Sequence, residues 1–228
     1  MVGRRMTKAL IIGAGPSLQE NLDNLKKLGK FPGYVICTDG AINTLLKNGI
    51  IPDHVTTLED TMDLDKYYTT DTVKANGKLI KSAIISDRVH PNARNAMTAA
   101  GLKIDIAGKI RGYITSNVGL FSYLIGGLIL GCNEVYLIGM DHCYPRGQGP
   151  PVERGSELFK YGFNVMINKY NDEEIILHPA FMLWQEEFDW YSKEHPEIKV
   201  VNMTGRGALF AEQFIWKPIK DIKSWDEV

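Results

Sequence analysis

The sequence predicts an α/β protein with a Rossmann-like, doubly wound and mostly parallel sheet, covered by helices on both faces. Three observations predict it. Short apolar runs alternate along the chain with longer stretches of helical period, as strands and crossover helices do. Several runs are apolar at consecutive positions, as strands buried on both faces must be. Finally, every predicted parallel strand runs into polar residues: Ser17, Asp39, Glu59, Ser86, Asp141 and Asn202. In open α/β sheets ligands bind outside the carboxyl ends of the strands, so these residues point to one crevice.

The chain has 228 residues, 44% of them hydrophobic. That is enough for one Rossmann-like domain over residues 1–228, and no repeat or linker divides it. The net charge is −1, from 26 Lys and Arg against 27 Asp and Glu, so no basic field for nucleic acid is expected. Cys37, Cys132 and Cys143 form no Cys-x-x-Cys, which fits a reduced, cytoplasmic setting and no zinc site. The opening MVGRRMTKALIIG breaks its apolar run at Gly13 and reads as a first strand rather than a signal peptide.

Lys8 to Ile12 is that strand. Gly13-Ala14-Gly15-Pro16-Ser17 is a tight turn into a helix marked by Leu18, Leu22 and Leu25 and closed at Gly29. Ser17 and Glu20 have capping-box spacing. A glycine turn before a helix lets backbone N–H groups approach an anion. Leu18 fills the third glycine position of G-x-G-x-x-G, so a dinucleotide site of that kind is not expected. Tyr34 to Cys37 is the second strand, ending at Thr38-Asp39-Gly40, where Asp39 is placed either to grip a ribose hydroxyl or to cap the next helix. His54 to Leu58 is the third strand and ends in Glu59-Asp60, a carboxylate pair that either holds Mg²⁺ or belongs to a solvated loop with Asp63 and Asp65. Lys78 to Ile85 is the fourth. Leu102 to Ile106 alternates like a half-exposed edge strand.

The segment from Ile114 to Tyr144 is the centre of the chain. Thr115, Ser116 and Asn117 are N-cap residue types, and Val118 to Leu130 is apolar nearly all round, as a covered helix is. Its thirteen residues are short of the roughly 20 that span a bilayer, so no transmembrane segment is expected. Gly126 and Gly127 inside the helix imply a close neighbouring backbone, and Gly131 ends it. Val135 to Ile138 is a buried strand, leading into Gly139-Met140-Asp141-His142-Cys143-Tyr144. A Pro- and Gly-rich loop from about residue 145 to 170 is positioned as a lid, with Phe159 to Tyr170 open between a short helix and more lid. A helix from about Pro179 to Lys193 follows His178, then a strand from Ile198 to Val201. A tail from about residue 211 to 228 packs across the body or a partner chain, which leaves room for a homo-oligomer.

GAGPSL, the Asp39-Gly40 turn, TSNVGL, LGCNEVYLIGMD and VVNMTGRGAL together resemble the MptE-like family, which includes archaeal pterin diphosphokinases and the central domain of motility accessory factors. The arrangement is also similar to bacterial sialyltransferases that use CMP-sialic acid. The resemblance covers about residues 8 to 210. It implies a nucleotide-dependent transferase acting on a nucleotide or nucleotide-sugar and a small-molecule or glycan acceptor. In the glycosyltransferase reading no metal or other cofactor is needed. Gly13, Ala14, Gly15, Pro16, Ser17, Asp39, Gly40, Ser116, Asn117, Gly139 and Asp141 then bind the nucleotide. His178 takes the acceptor's proton as general base, and Tyr144 donates to the departing phosphate. Ala14 stands where the sialyltransferases carry an asparagine. The alternative is a Mg²⁺- and ATP-dependent 6-hydroxymethyl-dihydropterin diphosphokinase with Glu59, Asp60 and Asp141 on the metal, although Thr57 and Glu59 fall where that group's aspartates are expected. A third reading is a nucleotide-binding module without catalysis.

Overall fold

The structure, a computed structural model, describes residues 7–108, 110, 115–145 and 164–228. Strands β1 (Lys8–Ile12), β2 (Tyr34–Thr38), β3 (His54–Thr57), β4 (Ser82–Ile85) and β5 (Ile104–Ile106) alternate with helices α1 (Ser17–Leu28), α2 (Asp39–Lys47), α3 (Asp71–Asn76) and α4 (Pro91–Ala99). Helix α5 (Val118–Leu124) and strand β6 (Glu134–Ile138) follow, then β7 (Tyr144–Pro145), β8 (Asn164–Ile167), β9 (Glu174–Leu177), α6 (Pro179–Glu194), β10 (Lys199–Asn202) and β11 (Ile215–Trp216).

Eight strands make one sheet in the order β11-β10-β6-β1-β2-β3-β4-β5, and every pairing in it is parallel. β1 shows why both faces must be covered. Leu10 and Ile12 join the core on one face, Ala9 and Ile11 the core on the other, and all four are essentially inaccessible. Because β1 pairs with β2 on one side and β6 on the other, the chain reverses its winding there, and a crevice opens at the carboxyl ends. β5 forms the edge, as its alternating pattern implied. Among the described residues no helix is long and apolar enough to cross a membrane.

Several elements differ from their sequence pattern. α1 begins at Ser17 with Pro16 at the cap and no side-chain cap bond, so the Ser17–Glu20 spacing is not a capping box. The fourth strand starts later than Lys78, because Gly77–Leu79 closes a 3₁₀ turn through Ile80 N–H to Gly77 O at 3.1 Å. The long apolar helix is α-helical only to Leu124. Ile125–Ile129 widens to a π-turn, with Leu130 N–H donating to Ile125 O at 2.9 Å. Its glycines meet side chains of the core rather than a backbone. A Cβ on Gly126 would lie 3.2 Å from Ala9 Cβ, and one on Gly127 2.5 Å from Ile198 Cδ1.

Of the expected lid, residues 146–163 lie outside the described residues. The end of that stretch is a strand rather than a short helix: β8 is the outer strand of a three-stranded antiparallel sheet in the order β7-β9-β8. The tail does pack across the body. β11 extends the main sheet beside β10, and Trp225 stands edge-on to Phe31 with centroids 4.9 Å apart.

Candidate functional site

A crevice of about 460 Å³ opens at the carboxyl edge of the sheet. It gathers Gly13 to Pro16 from the turn after β1, Asp39 and Gly40 from the start of α2, and Glu59, Asp63 and Lys66 from the loop after β3. Asn117 at the head of α5, Gly139 to Cys143 after β6, and His178, Phe181 and Trp184 at the head of α6 complete it. Most of the residues expected to bind nucleotide are therefore brought together. Ser17 lies beneath the wall, and Ser116 and Asp60 stand off it. Ser116 instead donates to Glu187 Oε1 at 2.8 Å. The side chain of Tyr144 lies outside the described residues.

The glycine turn does not work as an open anion cradle. Gly13 N–H donates to Ile138 O and Gly15 N–H to Gly139 O, each at 2.8 Å, while Leu18 N–H donates to Gly15 O. Ser17 N–H and its hydroxyl both go to the Asp141 carboxylate, the hydroxyl at 2.7 Å. Asp141 thus supplies from within the protein the negative charge that the first turn of a helix attracts. Glycine is required for this approach: a Cβ on Gly15 would overlap Asp141 Oδ2 and lie 2.6 Å from Gly139 O. Asp141 is 1% exposed. Burial pushes its carboxyl up to about 6, against the lowering effect of the Ser17 bonds and of Arg206.

Arg206 organises the floor beneath this contact. Its guanidinium binds Glu20 on α1, reaches Glu173 Oε1 at 2.6 Å, and holds Nε 3.9 Å from Asp141 Oδ1. This explains what Glu20 does in place of capping. It also ties the small antiparallel sheet to the main body.

Asp39 is the first residue of α2 and accepts from Gly40 N–H at 2.7 Å. It is 7% exposed. Burial raises its carboxyl to about 7, and the Glu59 charge adds to the rise, while Gly40, Thr57 and Lys66 oppose it. Thr57 is in turn hydrogen-bonded to the buried Tyr68 hydroxyl. A carboxyl held this close to neutrality is able to accept and return a proton at physiological pH.

His178 caps α6, with Nδ1 accepting from Ala180 N–H at 3.1 Å. That bond uses the Nδ1 lone pair and leaves the neutral ring's proton on Nε2. The ring borders the crevice, and its Nε2 is enclosed among neighbouring atoms. Asn117 likewise spends its Oδ1 as a cap, accepting from Leu120 N–H at 3.0 Å. His142 was visible in the sequence only as part of a polar loop. Here it joins Phe181 and Trp184 in an aromatic section of the wall. Glu59, Asp60 and Asp141 do not converge, and among the described residues no three His, Cys, Asp or Glu side chains are grouped to hold a metal ion.

No curated protein matches the chain. Among solved structures the fold is similar to that of the MAf glycosyltransferase from Magnetospirillum magneticum AMB-1, with a TM-score of 0.69 and 16% identity over 99% of this chain and 36% of that one. The chain thus spans about a third of that protein's length. Thiamine pyrophosphokinase from Bacillus subtilis aligns at 17% identity over 72% of this chain and 61% of that chain, with a TM-score of 0.33, too loose to bear on the fold. A family model described as 6-hydroxymethylpterin diphosphokinase MptE-like matches residues 2–147, which carry the β1 turn, the Asp39-Gly40 turn and the Asp141 loop. With more than half of its length matched, the chain belongs to the 6-hydroxymethylpterin diphosphokinase MptE-like family.

Proposed function

We propose that this protein is a nucleotide-dependent transferase, and that the group it moves is a sugar from a CMP-linked donor to a small-molecule or glycan acceptor. One observation carries the reading: the turns after β1, β2 and β6 and the head of α6 form the walls of a single crevice. The MAf glycosyltransferase, similar in fold over nearly the whole chain, supports the sugar. So does the charge of the wall. The described lining carries Asp39, Glu59, Asp63 and Asp141 against Lys66, a poor setting for a bare polyphosphate. A CMP-sugar presents one phosphate charge and is the easier guest without a metal.

In this reading the donor's glycosidic C–O bond breaks as the acceptor oxygen bonds to the sugar carbon. His178 stands at the crevice wall at the head of α6, beside the space the donor occupies. Asp39 takes the acceptor hydroxyl's proton, a role that its near-neutral carboxyl fits.

The same acidic wall favours a second reading, diphosphoryl transfer from ATP. Mg²⁺ is commonly held by one or two carboxylates together with substrate phosphates. Asp39 and Glu59, close enough for one charge to perturb the other, fit that donor set and would hold the ion. The ion would neutralise the phosphates, while the chain's own residues orient the acceptor. Thermal unfolding with CMP, CMP-sialic acid, AMP and ATP, each with and without Mg²⁺, separates the two. A ligand at 100 times its Kd adds about 2.7 kcal/mol. Stabilisation by CMP that ignores Mg²⁺ is the expected result. Stabilisation by ATP only with Mg²⁺ would replace glycosyl transfer by diphosphoryl transfer.

A further inference from the structure

The two sides of the crevice differ in chemistry. Toward β2 and β3 it is mainly acidic; toward His142 and the head of α6 it is aromatic. His142, Phe181 and Trp184 line the aromatic side, with the His142 ring 6.4 Å from Phe181, 5.9 Å from Trp184 and 5.5 Å from the buried Phe188. Phe181 and Trp184 lie beyond the residues that the family model matches.

His142 bears two costs at once. Its backbone is left-handed, at φ 49°, where non-glycine residues are uncommon. Its Nδ1 is enclosed and has no hydrogen-bond partner. A phenylalanine would pack among the same rings without stranding a polar atom, so ring packing alone does not account for an imidazole. Costs of this kind persist where a site uses the group. The residue is only partly buried and lines the crevice, and Nε2, unlike Nδ1, is not among the enclosed unpartnered atoms. Burial lowers the ring's pKa to about 4, so the imidazole is neutral at physiological pH and is able to donate or accept.

We infer that the His142–Phe181–Trp184 corner seats a flat, uncharged heterocycle, the base of the bound nucleotide, with Trp184 against its ring and His142 Nε2 bonded to its edge. This rests on the nucleotide-dependent reading above and adds where the base lies and what recognises it.

The test titrates wild type, His142→Phe, His142→Gln and Trp184→Phe with CMP, AMP and ribose 5-phosphate, following calorimetry and tryptophan fluorescence. The chain has four tryptophans, so Trp184→Phe identifies the one that responds. A nucleotide that binds should change the emission of wild type but not of Trp184→Phe. His142→Phe, which keeps the ring packing, should bind it about tenfold more weakly, the effect of losing one good hydrogen bond. His142→Gln should recover part of that loss. Ribose 5-phosphate should bind wild type and His142→Phe alike. A nucleotide that binds wild type and both His142 variants equally, or leaves Trp184 silent at saturation, would overturn the base assignment and leave the transferase reading standing. An equal Trp184 response to ribose 5-phosphate would overturn it in favour of a sugar. Failure of every nucleotide to bind wild type would overturn both.

Discussion

Replacing Asp39 by Asn should make the protein more stable and less active, with the gain growing as the pH rises. The carboxyl is moved by burial from its ordinary 3.8 to about 7. Its folded-state pKa is raised, so the folded protein holds this proton more tightly than the unfolded chain. The associated stability is fully present below about pH 4 and is lost as the pH climbs through 7. At pH 8 the ionised carboxylate therefore costs about 4 kcal/mol relative to its neutral form. Asn removes that cost and keeps the local bonds. Its oxygen still accepts from Gly40 N–H, and its amide can donate to Thr57 once the Thr57–Tyr68 hydroxyl pair reverses direction.

Urea unfolding at pH 4.5, 6 and 8 measures this directly. The variant's midpoint should exceed wild type by the equivalent of about 1 kcal/mol at pH 4.5, where the unfolded carboxyl is already mostly ionised, and by up to about 4 kcal/mol at pH 8, with an unchanged m-value. Other buried groups also titrate in this range, among them His54, which burial lowers from its ordinary 6.5. Asp141, raised to about 6, has the same sign as Asp39. His142, lowered to about 4, has the opposite sign: its stability is present above its ordinary 6.5 and is lost as the pH falls through 4. All remain in the variant and cancel in the difference. A gap between variant and wild type that stays the same at all three pH values would refute the reasoning.

Ser17→Ala deletes the hydroxyl that donates to buried Asp141; it should cost about 1.5–3 kcal/mol at pH 8 and less at pH 5, where Asp141 is largely protonated, as read from urea midpoints. Gly15→Ala places a methyl on the Asp141 carboxylate and near the Gly139 carbonyl. It should cost about 1–3 kcal/mol, visible as a melting temperature several degrees lower, and an unchanged melt would contradict the close packing of the two loops. His178→Ala removes the cap of α6, and the lost cap should cost about 1 kcal/mol. His178→Asn keeps a capping acceptor, so it should melt near wild type; a melt as low as that of the Ala variant would contradict the capping role.

Much of the fold was legible because its signals are local. Consecutive apolar residues in β1 and β6, the all-round apolar face of α5, and Gly29 and Gly131 after their helices all act through neighbours in sequence. The small antiparallel sheet was missed, although Asn171-Asp172 between the NVMI and EIIL runs is turn chemistry and Asp172 does take a left-handed φ of 55°. The runs are only four residues each, and a Pro- and Gly-rich loop precedes them, so the loop pattern dominated the reading. β11 was missed for a similar reason. Two residues carry no period, and only the edge of β10 gives them a place in the sheet.

The candidate site was legible as a set of strand ends and opaque in its chemistry. The sequence by itself determined that Gly13–Ser17, Asp39-Gly40 and Gly139–Asp141 meet along one sheet edge, because parallel strands joined by crossovers bring their carboxyl ends to the same side. Tertiary structure alone decided what occupies the head of α1. Ser17 meets a carboxylate 124 positions away, and no local pattern records that Asp141 takes the place read as an anion cradle. It decided also that Asp39 is held near neutrality and His178 keeps its proton on Nε2. Ionisation and tautomer depend on solvent exclusion and on the distance to the next charge or donor, and those distances exist only once the chain has folded.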